Sequence, residues 1–261
     1  MSDLFLKVLL FTIIPVAAAI LGGIIAAYRP PGPRLGSALQ HFAAGMVFAA
    51  VGVELLPDVV SKHAPVATII GFTIGISLML VIRSITEKAE KEANPDSESE
   101  SESQRERGLA PAGACEPALP VSMIATIGVD VAIDGLLIGI GFAAGAKEGI
   151  LLIIALTLEL LSLGLATSAT LNKSGISKGK SIAVTSGLAL IPLVGASLGA
   201  LLLGGLSGNL LEAVLAFGVA ALLYLVTEEL LVEAHEVPET PLITATFFIG
   251  FLLLLVVTMI V

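Results

Sequence analysis

Three carboxylic acids lie inside stretches that are otherwise apolar for the whole width of a lipid bilayer. Asp130 and Asp134 lie in TIGVDVAIDGLLIGIGFAAG, and Glu159 lies in LLIIALTLELLSLGLATSATL. A carboxylate at that depth costs several kcal/mol unless its charge is offset, so an acid in such a stretch commonly marks a functional site. Neither stretch contains Lys or Arg. A bound cation or bound protons would supply the missing positive charge.

The spacing of these acids predicts a single site. Asp130 and Asp134 are four residues apart, so on a helix they share a face, with Cβ atoms about 5–6 Å apart. Two like charges that close cannot both stay ionised in a low dielectric without a cation, and their titrations are coupled. Glu159, at a similar depth in the next stretch, completes a predicted cage of three carboxylates.

The donor atoms of this cage indicate which ligand it would take. Thr157 and Ser162 are close enough in the sequence to Glu159 to add neutral oxygens. Oxygen donors favour harder divalent ions such as Mn²⁺, Mg²⁺ or Fe²⁺ over the ions that prefer His and Cys. The alternative is that the three acids are protonated and join helices through hydrogen bonds.

The elements that must position these acids are membrane-spanning helices. The hydrophobic content is 56%, the mean hydropathy is +1.01 and only 13% of the residues are charged, which is far from the composition of soluble domains. Apolar runs of helical length rather than barrel-strand length predict an all-α bundle, whose first span is too long to be a signal peptide. The eight predicted spans are residues 4–28, 36–57, 64–85, 119–145, 148–171, 180–204, 209–233 and 241–261.

One polar tract, residues 86–118, interrupts the apolar spans. Its Ser/Glu repeat and its lack of large apolar residues predict a disordered linker within a single transmembrane domain, residues 1–261. Much of the net charge of −9 comes from this tract, so the charge says little about a substrate. Cys115, the only cysteine, also lies there, which excludes an intrachain disulfide and a Cys-based metal framework.

The basic residues predict the orientation. The loops after the first, third and fifth spans carry ten Lys and Arg residues against three on the other side, which places the linker in the cytoplasm and both termini outside. We expect a multi-pass protein of the plasma membrane, or of the inner membrane in a bacterium.

Two spans share a short pattern. The second ends FAAGMVFAAVGVELLPD and the seventh ends LAFGVAALLYLVTEELLVE, so each has small residues before a Glu-Leu-Leu with another acid shortly after. An inverted repeat of three helices on either side of the fourth and fifth spans would produce this pattern. Within the fourth span, Gly135, Gly139 and Ala143 predict a face that another helix approaches closely.

These features together resemble the ZIP (Zrt/Irt-like) family of divalent-metal transporters. The resemblance rests on HFAAGMVFAAVGVELLPD, on the long linker after the third span, on the paired acidic spans and on YLVTEELLVEA. It covers nearly the whole chain. It implies a bundle of eight helices in a three-two-three arrangement that imports metal toward the cytoplasm.

The family motifs can be carried over residue by residue. Many members have His-Asn-x-x-Glu-Gly on the fourth helix, where VDVAIDGL places Asp130 at the His position and Asp134 at the acid position. On the fifth helix, ELLSLG places Glu159 at the first position, and the closing GLA is intact as residues 164–166. The resemblance therefore implies that these three acids bind the transported metal.

This chain departs from the family pattern at five of the motif positions. The second metal site of the family depends on positions that are here Val131 and Leu160, so we expect one site. The prolines of both motifs are replaced, by Ile133 and Ser162, which predicts straighter helices. An Asp in place of the His leaves the choice among zinc, manganese and iron open.

Acidic residues near the ends of two other spans predict mouths for an ion path. On the seventh span the family commonly has a His-Glu pair, and Glu228 and Glu229 occupy that place, with Glu233 and His235 following. Such acids raise the local cation concentration, although a solvated helix end would look the same. On the other side, the sequence leaves open whether Glu54, with Asp58 and His63, forms an entrance or a solvated end; His41 is predicted to be a boundary residue.

The predicted function is transport of a divalent metal ion as substrate, with no catalytic cofactor and no enzymatic activity. An intramembrane aspartyl protease is a weaker alternative because both Asp lie on one helix and no GxGD motif occurs. A further alternative is a ZIP-like membrane scaffold or sensor that binds metal without moving it. We expect the metal ion and the bilayer as partners and no nucleic acid, and a homodimer stays open.

Overall fold

Eight long helices make up the part of the chain described by the computed structural model, which covers residues 2–93, 119–203, 205–238 and 240–260. No β-strand occurs among these residues, and each of the eight helices is long and apolar enough to cross a membrane. The all-α, multi-pass prediction is confirmed. In chain order they are α1 (Ser2–Tyr28), α2 (Pro33–Ser61), α3 (Pro65–Ala93), α4 (Val121–Ala144), α5 (Ala146–Lys173), α6 (Lys178–Leu203), α7 (Asn209–Ala234) and α8 (Pro241–Ile260).

The helices associate mainly in four pairs, which are α1 with α5, α4 with α6, α2 with α8, and α3 with α7. Further contacts of α5 with α2 and of α7 with α4 join the pairs. If α1 is exchanged with α6, α2 with α7, α3 with α8 and α4 with α5, the same four pairs result. The inverted repeat itself stays a prediction.

Glycine lets the backbones in each pair touch. A Cβ added at Gly135 would collide with the backbone of Pro192, and one added at Gly195 would collide with the carbonyl of Ala132. Gly139 meets Gly199 in the same α4–α6 contact. The predicted close approach on α4 is therefore confirmed for Gly135 and Gly139. In the other pairs, glycines likewise lie against the backbone of the partner helix. They are Gly22 and Gly164 between α1 and α5, Gly45 and Gly250 between α2 and α8, and Gly71 and Gly75 of α3 against α7. Because lipid removes the hydrophobic drive between helices, such close packing is what holds a membrane bundle together.

Three helices depart from regular α-helix. Within α2 a π-helical segment spans Val51–Leu55, and within α7 another spans Leu225–Leu230. In α6 the α-helix breaks between Ala189 and Ile191, next to Pro192, whose ring cannot continue a regular helix. In contrast, α4 and α5 run without interruption, in keeping with the loss of both motif prolines.

The predicted start of the linker is wrong. Helix α3 continues to Ala93, so residues 86–93 are helical rather than disordered. The physical reason is composition, since TEKAEKEA is rich in Glu, Lys and Ala, which are strong helix formers. The rest of the predicted linker, residues 94–118 with Cys115, lies outside the described residues.

Candidate functional site

A cavity of about 290 Å³ opens between α2, α3, α4, α5 and α7. The lining residues belong to the ends of these helices that lie toward the linker, which we call the linker side of the bundle. The acidic residues that line the cavity are Asp130, Glu159, Glu228, Glu229 and Glu233. Ser162 also lines it. Five of the six predicted site residues therefore meet at one cavity.

The sixth, Asp134, lies one helical turn deeper in α4, farther from the linker side than Asp130. It is 0% exposed, and Glu159 on α5 is 3% exposed. Asp134 lies within electrostatic range of Glu159, Asp130 and Glu229. The three acids predicted from the sequence thus form a continuous group of carboxyls that extends from the cavity into the interior of the bundle.

Several oxygens of this group lack a protein partner. Within the described part of the chain, no hydrogen bond reaches Oδ1 of Asp130, either oxygen of Asp134, or Oε2 of Glu159. Buried polar atoms are normally paired, because leaving one unpaired costs about 1–3 kcal/mol. The alternative that the acids merely join helices through hydrogen bonds does not describe Asp134, since both of its oxygens are without such a bond.

Helix α7 supplies the mouth of the cavity through its π-helical segment, Leu225–Leu230. A π-helical turn holds an extra residue and often occurs at functional sites. Glu229 in this segment lies close to the carboxyl of Asp130, with Glu159 and Glu233 within electrostatic range. Glu228 accepts a hydrogen bond of 2.7 Å from the Arg83 guanidinium of α3.

The two consecutive acids therefore have different surroundings. Glu228 is about half exposed and has a cation beside it, whereas Glu229 faces the other carboxyls. We conclude that Glu229 belongs to the acidic group and that Glu228 lies at its rim.

Sequence reasoning did not connect Arg83 and Gln40 to the site, whereas it placed Glu233 beside the predicted mouth. Arg83 lines the cavity, although the sequence shows it only as one of the basic residues at the end of α3. Glu233 lines the cavity and accepts a hydrogen bond from Gln40 of α2. Glu233 follows Glu229 by four residues, and this helical spacing is the signal that places both on one face. No sequence pattern pointed to Gln40.

The acids are close to one another but are not gathered around a point. Among the described residues, no three His, Cys, Asp or Glu side chains converge in a way that could hold a metal ion. A cation bound to Asp130, Asp134 and Glu159 together would therefore draw these side chains closer. Thr157, predicted as an auxiliary oxygen, donates its hydroxyl to the carbonyl of Ile153 at 2.5 Å.

On the side opposite the linker lie the residues for which the sequence left open an entrance or a solvated helix end, and each has a close partner. Glu54 lies 3.5 Å from the ammonium of Lys147, and Asp58 lies 3.7 Å from that of Lys62. The Nδ1 atom of His63 lies 2.6 Å from the carbonyl oxygen of Ser61. These contacts place a positive charge beside both acids.

Comparison of the chain with models of known protein families finds no match, and comparison with curated proteins finds none either.

Proposed function

We propose that the protein carries divalent metal cations across a membrane through the acidic cavity between α4, α5 and α7. The observation that carries the proposal is the group of carboxyls on these three helices, of which five line one cavity inside an otherwise apolar bundle. Intramembrane acids that face a bundle interior or a water-filled cavity are typical of ion pathways. The resemblance to the ZIP family, stated above from the sequence, agrees with this assignment.

The unpaired oxygens support a cation as the substrate. Asp134 and Glu159 are almost completely buried and keep three oxygens without hydrogen bonds among the described residues. A divalent ion would pair several of these oxygens at once. Carboxylate oxygens suit manganese and iron(II) well and also bind zinc, so the zinc, manganese and iron class is the proposed substrate.

Protons would compete with the metal for the same oxygens. Asp130 and Glu229 line the same cavity in a low-dielectric interior, where a proton would offset part of their negative charge. Metal binding releases protons from ligands that hold them, so metal affinity should fall as the pH is lowered. The direction of transport toward the cytoplasm is part of the proposal and follows from the resemblance to the ZIP family. The proposed orientation, with both termini outside, follows from the distribution of Lys and Arg.

The test is uptake by liposomes that contain the purified full-length protein and a metal-sensitive dye, with Zn²⁺, Mn²⁺ and Fe²⁺ added outside in turn. We expect uptake of at least one of these ions and its loss to the background level in Asp134→Asn, which removes one charge from the cage while keeping the side-chain size. No uptake of any of the three ions by the wild-type protein would overturn the proposal.

The matched control is Glu212→Gln. Glu212 is also a buried carboxylic acid, at 1% exposed, but it lies in the first turn of α7, at the other end of the helix from the cavity. We expect Glu212→Gln to keep most of the uptake. Equal loss in both variants would show that removing any buried acid damages the protein, and the assignment of the site would be withdrawn.

The same preparation distinguishes the scaffold alternative. A protein that binds metal but does not move it would show metal in the purified protein and no uptake by the liposomes. If the purified wild-type protein holds metal and the Asp134→Asn variant does not, the binding site would still be assigned to this group of carboxyls.

A further inference from the structure

Two of the three histidines of the chain meet at the linker side of the bundle. His41 lies near the start of α2, and His235 follows directly after α7. Their ring centroids are 5.1 Å apart, and the ring planes are perpendicular. The sequence predicted His41 to be a boundary residue, but its side chain is only 1% exposed because the end of α7 packs over it.

The tautomer of His41 follows from its neighbours. Its Nδ1 atom lies 2.9 Å from the carbonyl oxygen of Ser37. A carbonyl oxygen only accepts, so Nδ1 carries the hydrogen. The hydroxyl of Ser37 donates to the carbonyl of Ala234 at 2.7 Å, which leaves its oxygen to face Nδ1 as a second acceptor at 3.4 Å.

The lone pair of the neutral His41 ring is therefore on Nε2. This atom is buried and has no hydrogen-bond partner among the residues that the structure describes. A neutral imidazole whose Nδ1–H is held by a backbone carbonyl and whose Nε2 is unprotonated is the form that binds metal ions in proteins.

Two contacts between α2 and the end of α7 hold the histidines in place. One is the hydrogen bond from Ser37 to Ala234, and the other is the hydrogen bond from Gln40 to Glu233. Each of these four residues lies within four positions of one of the two histidines in the chain. The spacing of the two rings is therefore set by packing rather than by two freely rotating side chains.

This spacing suits a shared ion. Two imidazoles bound to one tetrahedral ion, each at a metal–nitrogen distance of about 2.0–2.1 Å, place their ring centroids roughly 5 Å apart. The observed 5.1 Å agrees with that value. Two nitrogen ligands leave the other coordination positions to water, which is the open arrangement of a site that exchanges its ion.

We infer that His41 and His235 form a second metal site at the linker-side mouth, which takes transition ions of the zinc and cobalt class. Imidazole nitrogens favour Zn²⁺, Co²⁺, Ni²⁺ and Cu²⁺ over Mg²⁺ and Ca²⁺. This site differs in donor chemistry from the all-oxygen group deeper in the cavity. Glu233, two residues before His235, lines that cavity, so the pair lies next to the path of an ion leaving it. The part played as an exit site rests on the proposed function, whereas metal binding by the pair does not.

Cobalt is the probe, because its visible absorption reports the coordination geometry and ligand type. Full-length protein in detergent would be titrated with Co²⁺ in an Asp134→Asn, Glu159→Gln background that weakens the carboxylate site. We expect one equivalent of bound Co²⁺ and a weakening of its affinity by roughly tenfold or more in both His41→Gln and His235→Gln. Mg²⁺ at the same concentration should not displace the bound Co²⁺.

The third histidine provides the matched control. His63 is exposed on the opposite side of the bundle, and His63→Gln should leave Co²⁺ binding unchanged. Equal loss in all three histidine variants, or no loss in either His41→Gln or His235→Gln, would overturn the inference.

A gain-of-signal variant guards against misfolding. With Cys115 replaced by Ser, His41→Cys should still bind Co²⁺ and should add a sulfur-to-cobalt absorption band in the near ultraviolet, since a thiolate also binds these ions. Absence of that band in a protein that elutes as the wild type does would count against the site.

The two proposals fail separately. If the wild-type protein shows no uptake and the His41→Gln substitution weakens Co²⁺ binding, transport is refuted and the histidine site is kept. Normal uptake together with Co²⁺ binding that is insensitive to both histidine variants would refute the histidine site alone.

Discussion

The π-helical segments of α2 and α7 use the same backbone device at opposite ends of the bundle. Each holds a Glu that is followed by Leu, Glu54 in Val51–Leu55 and Glu229 in Leu225–Leu230. Glu54 lies 3.5 Å from the Lys147 ammonium at the start of α5. Glu229 instead lies close to Asp130 of α4 and has the acids Glu159 and Glu233 nearby. A similar local sequence therefore carries opposite electrostatics, because a different helix packs across from it.

The packing around the two segments differs as well. The cavity lies on the linker side, beside the α7 segment. Toward the opposite side, α4 and α5 contribute apolar residues to the main hydrophobic cluster of the bundle, among them Leu137, Ile138, Leu152 and Leu156, each at most 1% exposed. The described structure thus connects the acidic group with the linker side. Under the proposed function, an ion from the other side reaches the acids only when this apolar packing separates.

The comparison between the two glutamates predicts the largest effect. Glu229→Gln should lower metal uptake by roughly ten- to hundredfold, because it removes a charge in contact with the predicted ligand Asp130. Glu54→Gln, the matched variant in the other π-helical segment, should lower uptake by less than about threefold, since its neighbour is a cation. Initial rates in the liposome assay measure both. The reverse order would mean that the functional mouth is the one on the side opposite the linker.

Close packing of α4, the helix that holds both aspartates, predicts the next effect. A Cβ at Gly135 would collide with the backbone of Pro192, whereas at Gly128 the nearest atoms are side-chain carbons at 3.6 Å. Gly135→Ala should therefore destabilise the protein by about 1–3 kcal/mol, the usual cost of overpacking. Gly128→Ala is the matched substitution in the same helix and should change stability by less than about 1 kcal/mol. Thermal unfolding in detergent compares them, and similar melting temperatures would show that α4 and α6 do not approach as described.

Replacement of one ligand type predicts a change in selectivity. Asp130→His introduces a nitrogen donor in the cavity, and nitrogen favours zinc over manganese. Uptake of the two ions in competition should shift toward zinc by several-fold relative to the wild-type protein. Asp58→His, which introduces the same side chain on the opposite side, is the control and should leave the ratio unchanged. An unaltered ratio in Asp130→His would argue that Asp130 does not contact the ion.

Removal of the cation beside Glu54 predicts the smallest effect. The Lys147 side chain is 41% exposed and that of Glu54 is 11% exposed. Because water screens the ammonium end, we expect a contribution near the upper end of the about 0–1 kcal/mol of surface pairs. Lys147→Met keeps the length of the chain and should lower stability by no more than that amount. It should also leave Glu54 available to attract cations, so uptake at low metal concentration should rise slightly. A large loss of stability, measured by thermal unfolding, would show that the pair is a structural link between α2 and α5.

Much of the fold was predictable because helical spans are long and the bilayer imposes a narrow range of lengths. All eight predicted spans correspond to helices, with ends that differ by a few residues except at α3, which runs on to Ala93. The acids of the candidate site could be selected from the sequence for a related reason, since an acid such as Asp134 is conspicuous in an apolar run. The π-helical segments were not predicted, because an extra residue in a turn leaves the composition unchanged.

The sequence by itself determined which residues would be out of place in lipid, and hence that carboxyls from α4, α5 and α7 needed a common polar environment. Only the tertiary structure decided which partners they meet. Arg83 reaches Glu228 across 145 positions of the chain, and His41 meets His235 across 194 positions. The physical reason is that intramembrane acids are recognised by composition, which is local. Pairing depends on which helices approach through their glycines, and that contact joins residues far apart in the chain.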